Sequence, residues 1–185
     1  MMQTAYETKR LLLLQSHPRL KKQVFAYYQE NHDFLQPTEP KHTESFLTLE
    51  TQKLLLKRDW KNFKKQTHLR LWMMLKENPN RIIGVVTLSN ITPMPVQSAT
   101  VSYKCHKDEL NKGYITEALE KLISIAFDDI GLHRLEVSIM PRNRCSLHVA
   151  QKLGFQNEGI EKECVQINGK WEDHVRMARI NPNSH

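Results

Sequence analysis

Long apolar runs are missing from this chain. The longest near its start covers only residues 11–14, far short of the ~18 residues that a membrane-spanning helix needs. No signal-peptide pattern precedes that run, so the expectation is a cytoplasmic protein with no membrane partner. Cysteine is scarce as well. Cys105, Cys145 and Cys164 are odd in number and lack C-x-x-C spacing, which argues against a disulfide framework. The nine histidines never fall as H-x-x-x-H or H-E-x-x-H. Cys145-x-x-His148 is one half of a zinc pattern without a second half, so no metal is expected. Repeats, low-complexity tracts and dividing linkers are also missing. Residues 1–185 therefore read as one domain, long enough to bury a sizeable core.

What is present is an ordinary globular balance, 39% hydrophobic and 25% charged, with a net charge of +7. An excess of that sign suits a polyphosphate cofactor, RNA or a nucleoprotein surface, and a polyanionic ligand would bind with electrostatic assistance. Solvated lysines account for it equally well. Residues 53–70 hold seven basic residues against one acid, which reads as an exposed basic helical face.

Periodicity outlines the elements. Residues 10–15 suit a first strand, closed by His17-Pro18. Val24, Phe25 and Tyr28 mark a helix over 21–31. Two prolines make 37–40 non-helical. A second helix is predicted over 44–65, with Phe46, Leu49, Leu56, Trp60 and Phe63 on one side. Leu69, Leu71, Met73 and Leu75 then alternate with other residues, predicting a strand buried on one face. Asn78-Pro79-Asn80 is read as the turn into a strand over 82–88, and 100–105 as a further strand. Ile115, Ala118, Leu119, Leu122, Ile123, Ala126 and Phe127 form one apolar stripe, predicting a helix over 114–128. A strand around Leu135, Val137 and Ile139 follows, then a short helix behind Asn143. Asn168-Gly169 predicts a type I′ hairpin turn between the last two strands. The order is that of a mixed α/β domain.

Two segments carry candidate chemistry. In Leu110-Asn111-Lys112-Gly113-Tyr114-Ile115-Thr116 a glycine turn opens the strongest helix. Free N–H groups and the positive dipole end there suit phosphates, although a plain strand-to-helix turn reads the same way. The loop is neither a Walker A motif nor a G-x-G-x-x-G fingerprint. In Asn143-Arg144-Cys145-Ser146, Asn143 stands as an N-cap. Ser146, in the first turn, is placed either for local capping or to donate a proton. Cys145 lacks the His and Asn partners of a covalent nucleophile.

These segments, in this order, resemble the RimJ/RimL-type ribosomal-protein-alanine N-acetyltransferases of the GNAT superfamily. The similarity also includes residues 10–13, Pro37-Thr38-Glu39-Pro40, Ile83-Gly84-Val85, Lys152-Leu153-Gly154-Phe155 and Trp171-Glu172-Asp173-His174. The resemblance implies a GNAT fold, an α/β sheet whose fourth and fifth strands splay apart. It further implies acetyl-CoA as cosubstrate and a primary amine, foremost a protein N-terminus, as acceptor, with ribosome association and a monomeric or homodimeric state. The pantetheine arm would bond backbone near Lys104, Cys105 and His106, the pyrophosphate would rest on residues 110–116, and Asn143 would bond the arm. The superfamily's usual tyrosine acid falls on Ala150, so Ser146 matches the serine of the ribosomal branch. That branch's carboxylate base falls on Val165, which leaves Glu39 as the carboxylate to consider. An acceptor among small amines, or a non-catalytic acetyl-CoA-binding module on the ribosome, are the alternatives.

Overall fold

The computed structural model describes residues 2–184. Its strands are β1 (Ala5–Glu7), β2 (Leu11–Gln15), β3 (Leu69–Leu75), β4 (Asn78–Thr92), β5 (Ser98–Cys105), β6 (Arg134–Ile139), β7 (Gln156–Ile167) and β8 (Lys170–Ile180). Its helices are α1 (Lys21–Leu35), α2 (Leu49–Lys64), α3 (Tyr114–Ser124) and α4 (Arg144–Lys152). All eight strands join one sheet in the order β1-β2-β3-β4-β5-β6-β8-β7. Only the β5–β6 pair is parallel. The remaining neighbours are antiparallel. The mixed α/β class expected from the sequence is borne out.

Helices cover both faces. On one, Leu119 and Leu122 of α3 and Ala150 of α4 pack with Leu13, Leu71, Met73 and Val101. On the other, Val24 and Tyr27 of α1 and Leu56 of α2 pack with Trp72, Met74, Ile82 and Val85. The second cluster corrects the reading of β3 as half-buried. Trp72 is 1% exposed and Met74 is fully covered, because α1 and α2 lie over the face that alternation assigned to solvent.

Other boundaries also moved. The short strand β1 has no counterpart in the sequence reading; it pairs Ala5 with Leu14 at the sheet edge. The prolines do not exclude helical backbone altogether: a single 3-10 turn runs over Gln36–Thr38 with Pro37 at its start, where a missing N–H costs nothing. The predicted 44–65 helix is two pieces, a 3-10 turn Glu44–Leu47 and then α2. They part at Thr48, which is extended and whose side chain accepts from the Thr51 N–H as an N-cap. The turn after β3 is Lys76-Glu77, since Leu75 pairs with Asn78 and Met74 with Ile82. Pro79, Asn80 and Arg81 sit in the resulting bulge, where proline interrupts no ladder bond. The α3 stripe continues past Ser124 as a wider π turn, Ile125–Asp129. The Asn168-Gly169 turn stands as expected, joining β7 to β8 through Ile167 and Lys170.

The one acid of residues 53–70, Asp59, is buried and accepts from Arg70 Nη1 at 2.8 Å. Lys57, Arg58, Lys61, Lys64 and Lys65 are exposed, so the outer face of α2 is basic, as its composition implied.

Trp72 joins the helical layer to the sheet, and its Nε1–H donates to Ser16 Oγ at 2.9 Å. Trp72→Ala should cost about 3–5 kcal/mol of stability through lost packing. Trp72→Phe, which keeps a ring but removes the donor, should cost about 1–3 kcal/mol. Urea unfolding separates the two; equal losses would assign the effect to the hydrogen bond instead of the ring.

Candidate active site

The site begins where β5 and β6 part. Their parallel pairing covers only Ser98–Thr100 against Arg134–Glu136. Beyond it, Val101–Cys105 stays on β4 while Val137–Ile139 stays on β8. This is the expected splay. The parting strands are the fifth and sixth in chain order because β1 adds one to the count.

Backbone direction decides what faces the wedge. The His106 N–H donates to the Ile83 carbonyl at 2.8 Å, toward β4. The Lys104 carbonyl also faces β4, so close to Gly84 that a Cβ there would lie 2.7 Å from it. Alternation along the strand therefore turns the backbone groups of Tyr103 and Cys105 toward the wedge. Of the three residues expected to offer backbone to a pantetheine arm, Cys105 has this orientation. Lys104 and His106 are spent on β4. The His106 ring is buried between Glu30 Oε2 at 2.9 Å and Arg81 Nη2 at 3.2 Å.

At the end of β5 the chain passes a 3-10 turn (Lys107–Glu109) and reaches Leu110, Asn111 and Lys112, all exposed. Gly113 then starts α3 at φ 77°, in the left-handed region, with no side chain capping the helix. A Cβ at this φ would be strained. The N–H groups of Tyr114, Ile115 and Thr116 form the first turn and have no partner within the helix. Arg10 braces this loop. Its Nη1 donates to the Lys112 carbonyl at 2.9 Å, its Nε to Glu117 Oε2 at 2.7 Å, and its guanidinium lies 4.4 Å from the Tyr114 ring centre. Burial works against the charge on Glu117. The Thr8 hydroxyl and the Arg10 amide and guanidinium outweigh it and hold the carboxyl below its usual range. Lys112 Nζ is paired with Glu109 Oε2 at 2.9 Å.

Across the wedge, Asn143 caps α4 as its spacing implied: its Oδ1 accepts from the Ser146 N–H at 3.2 Å. Tyr103 reaches over from β5, its hydroxyl donating to the Ser146 carbonyl at 2.8 Å. Burial pushes that hydroxyl well above the ordinary tyrosine range, so it acts as a neutral donor that ties α4 to β5. Ser146 Oγ engages no partner among the described residues. Cys145 and His148 are exposed on α4.

A further wall beside β5 comes from the α1–α2 connection. Glu39 is buried and holds Lys104 Nζ with one oxygen and His42 Nε2, at 2.7 Å, with the other. Arg142 Nη2 donates to the Pro37 carbonyl at 3.2 Å and Asn168 Nδ2 to the Gln36 carbonyl at 2.9 Å. This loop borders a cavity of about 110 Å³ lined by Tyr28, His32, Glu39, Lys41, His42 and Phe46, among others. Thus Glu39, Lys104 and Cys105 are brought to one region. Sequence reasoning missed Tyr103, His42 and Arg142. It also missed Glu172, which stands opposite Val165 on β8 and pairs with Arg142 Nη1 at 2.5 Å. Counting outward from the Asn168-Gly169 turn gives 167 with 170, 166 with 171 and 165 with 172, so the hairpin signal already contained that carboxylate.

A strand wedge, an uncapped helix start and a serine at the facing helix form the frame of a CoA-dependent acyl transfer site. A profile of the acetyltransferase (GNAT) domain matches residues 10–156. The chain belongs to the GNAT acetyltransferase family. A probable N-acetyltransferase of Bacillus subtilis, YjcK, is 34% identical over 153 residues, 83% of this chain and 84% of that protein. The [ribosomal protein uS5]-alanine N-acetyltransferase of Escherichia coli is 30% identical over 175 residues, 95% of this chain and 90% of that protein. The crystal structure of the ribosomal-protein-S5-alanine acetyltransferase of Vibrio fischeri superposes with a TM-score of 0.93 at 30% identity, covering 99% of this chain and 100% of that one. Solved structures of the same GNAT fold hold CoA or acetyl-CoA. Acyl transfer from acetyl-CoA to an amine is the reaction class of this GNAT chain.

Burial, with the Glu109 carboxylate adding to it, pushes the Cys105 thiol up to about 11, whereas Cys145 is exposed. Since the thiolate is the reactive form, iodoacetamide at neutral pH should modify Cys145 well before Cys105. Peptide mass spectrometry reads the rates, and equal labelling would show that the wedge does not shield Cys105.

Proposed function

We propose that this acetyltransferase modifies the N-terminal α-amine of a protein, with a ribosomal protein as the leading acceptor. The observation that carries the choice is the charge of the α1–α2 cavity. Its one carboxylate, Glu39, is already engaged by Lys104 and His42, and Lys41 borders the same space. Such a wall offers little to a polyamine, which needs several unpaired carboxylates, and suits a peptide end carrying a single amine. Two relatives that span nearly the whole chain are named as acetyltransferases of the alanine of ribosomal protein uS5 or S5, which supports the same acceptor class.

In this reading the residues present fit CoA. The backbone of 110–116 cradles the pyrophosphate at the α3 dipole, and the Cys105 backbone extends the sheet to the pantetheine arm. Asn143 Oδ1 is held by the α4 cap, which leaves its amide nitrogen as the group facing the arm. Ser146 Oγ donates the proton that the departing CoA thiolate takes. Ala150, in the usual tyrosine position, is buried and has no proton to give. Holding thioester and amine together in one wedge supplies the orientation that the reaction needs.

An acetyl-CoA consumption assay over peptide termini and small amines tests the acceptor. Turnover confined to polyamines or free amino acids would overturn it. Gly113→Glu should abolish CoA affinity in calorimetry, since it places strain and negative charge beside the phosphates. Undiminished affinity would move the cofactor site elsewhere. Ser146→Ala should lower kcat by ~10²-fold, the modest end of acid–base effects, because a thiolate also leaves unassisted. Full activity with a lowered melting temperature would make Ser146 a capping residue only.

A further inference from the structure

A protonated amine cannot attack a thioester, and the position matching the ribosomal branch's carboxylate base holds Val165. A carboxylate is also poorly matched to this task. Ordinary carboxyl groups titrate near 4, imidazoles near 6.5 and α-amines near 7.7–8.0, so an imidazole takes the amine's proton over a much smaller gap. Resting on the proposed α-amine acceptor, we infer that His42 is the general base of this enzyme and that Glu39 is its positioning residue.

The geometry is that of a prepared imidazole. His42 Nε2 is bonded to Glu39 Oε2 at 2.7 Å, which leaves Nδ1 to accept a proton. The ring lies flat on Phe46, centroids 3.7 Å apart and planes 7° from parallel. Phe46 is itself fixed edge-on to Tyr28 at 4.9 Å, and its carbonyl accepts from Gln52 Nε2 at 2.7 Å. Both the ring plane and its rotation are therefore set before any substrate arrives. Glu39 is set in turn by Lys104, on the strand residue next to Cys105. The loop carrying both is pinned to the α4 side through Arg142 and to the β7–β8 turn through Asn168. The groups that face His42 are Glu39 and Lys41 from its own loop, Tyr28 and His32 from α1, Phe46 from the following turn, and Lys104 from β5 through Glu39.

The step balances. The acceptor ammonium gives one proton to His42 Nδ1, and the freed nitrogen lone pair forms the C–N bond to the acetyl carbon. The C–S bond then breaks and its electron pair leaves on sulfur as thiolate. The second proton lost by the nitrogen reaches that sulfur through Ser146 Oγ, and imidazolium releases the first to solvent. The sum is an acetylated amine, CoA thiol and one proton.

The test is the pH dependence of kcat/KM on an alanine-terminated peptide, with CoA affinity and melting temperature measured in parallel. His42→Gln should lose about tenfold near pH 7, where roughly a tenth of the α-amine is neutral unaided, and the deficit should fade near pH 9, where nearly all of it is. CoA affinity should stay unchanged. His42→Ala should be partly restored by free imidazole, a rescue that a structural role would not show. Glu39→Gln should give a smaller loss with the same pH trend. A His42→Gln deficit that is uniform in pH and not rescued overturns the inference. So does the neutral-pH deficit appearing in Glu172→Gln instead, which would assign the base to the carboxylate opposite Val165. Failure of the wild type on every peptide terminus would overturn the proposed acceptor itself, a result distinct from either.

Discussion

Everything in the site follows from three residue pairs. β5 and β6 hold each other through Ser98–Thr100 and Arg134–Glu136 and then follow different neighbours. A sheet that parts in mid-strand leaves backbone donors and acceptors without a ladder, a cost that native folds avoid unless something supplies partners. Here an amide-bearing arm of strand-like shape would be a natural partner, and the Cys105 backbone, turned away from β4, is where it would be met. The same parting brings the starts of α3 and α4 to the rim of one wedge, because each helix follows one of the two diverging strands. The polar ends of two helices and an open strand edge are thus gathered by one topological event.

The wedge would be loose if only its root held it. Tyr103 spans it by donating to the Ser146 carbonyl, and Arg142 ties the α4 side to both the Pro37 carbonyl and Glu172. Lys104 ties the β5 side to Glu39. Each bond joins elements distant in sequence, so the wall formed by the α1–α2 loop is defined by the fold as a whole and not by that short loop alone. Thr38 sits in the same loop, where its hydroxyl donates to the Leu35 carbonyl at 3.0 Å.

Much of the frame was legible in the residues because local chemistry determined it. The α3 stripe, the Asn143 cap and the Asn168-Gly169 turn depend on neighbours within a few positions, and each stands as read. What failed depended on distant partners. Alternation made Trp72 and Met74 outward-facing, and only the packing of α1 and α2 makes that face interior. The predicted 44–65 helix ignored that Thr48 can bond the Thr51 N–H and stop a helix as well as start one. His42 was invisible as chemistry because its significance lies in contacts with Glu39 and Phe46, three and four residues away in a segment without periodicity. Glu172 was different: the turn had already fixed its register opposite Val165, and the inference was available but undrawn.

The distribution of charge also changes what the net value of +7 means. The cations at the loop that opens α3 are occupied, Lys112 by Glu109 and Arg10 by Glu117. Among the described residues, Lys57, Arg58, Lys61, Lys64 and Lys65 are exposed cations gathered at the outer face and end of α2, where Asp59 is turned inward to Arg70 and His68. In the proposed mode, phosphate at α3 would be held chiefly by backbone N–H groups and the helix dipole, which are short-ranged and oriented. The exposed lysines act at longer range and are screened within ~10 Å at 0.1 M salt. Cofactor affinity should accordingly depend less on ionic strength than the net charge implies, with the lysine-rich helix contributing to encounter with acidic surfaces more than to the chemistry in the wedge.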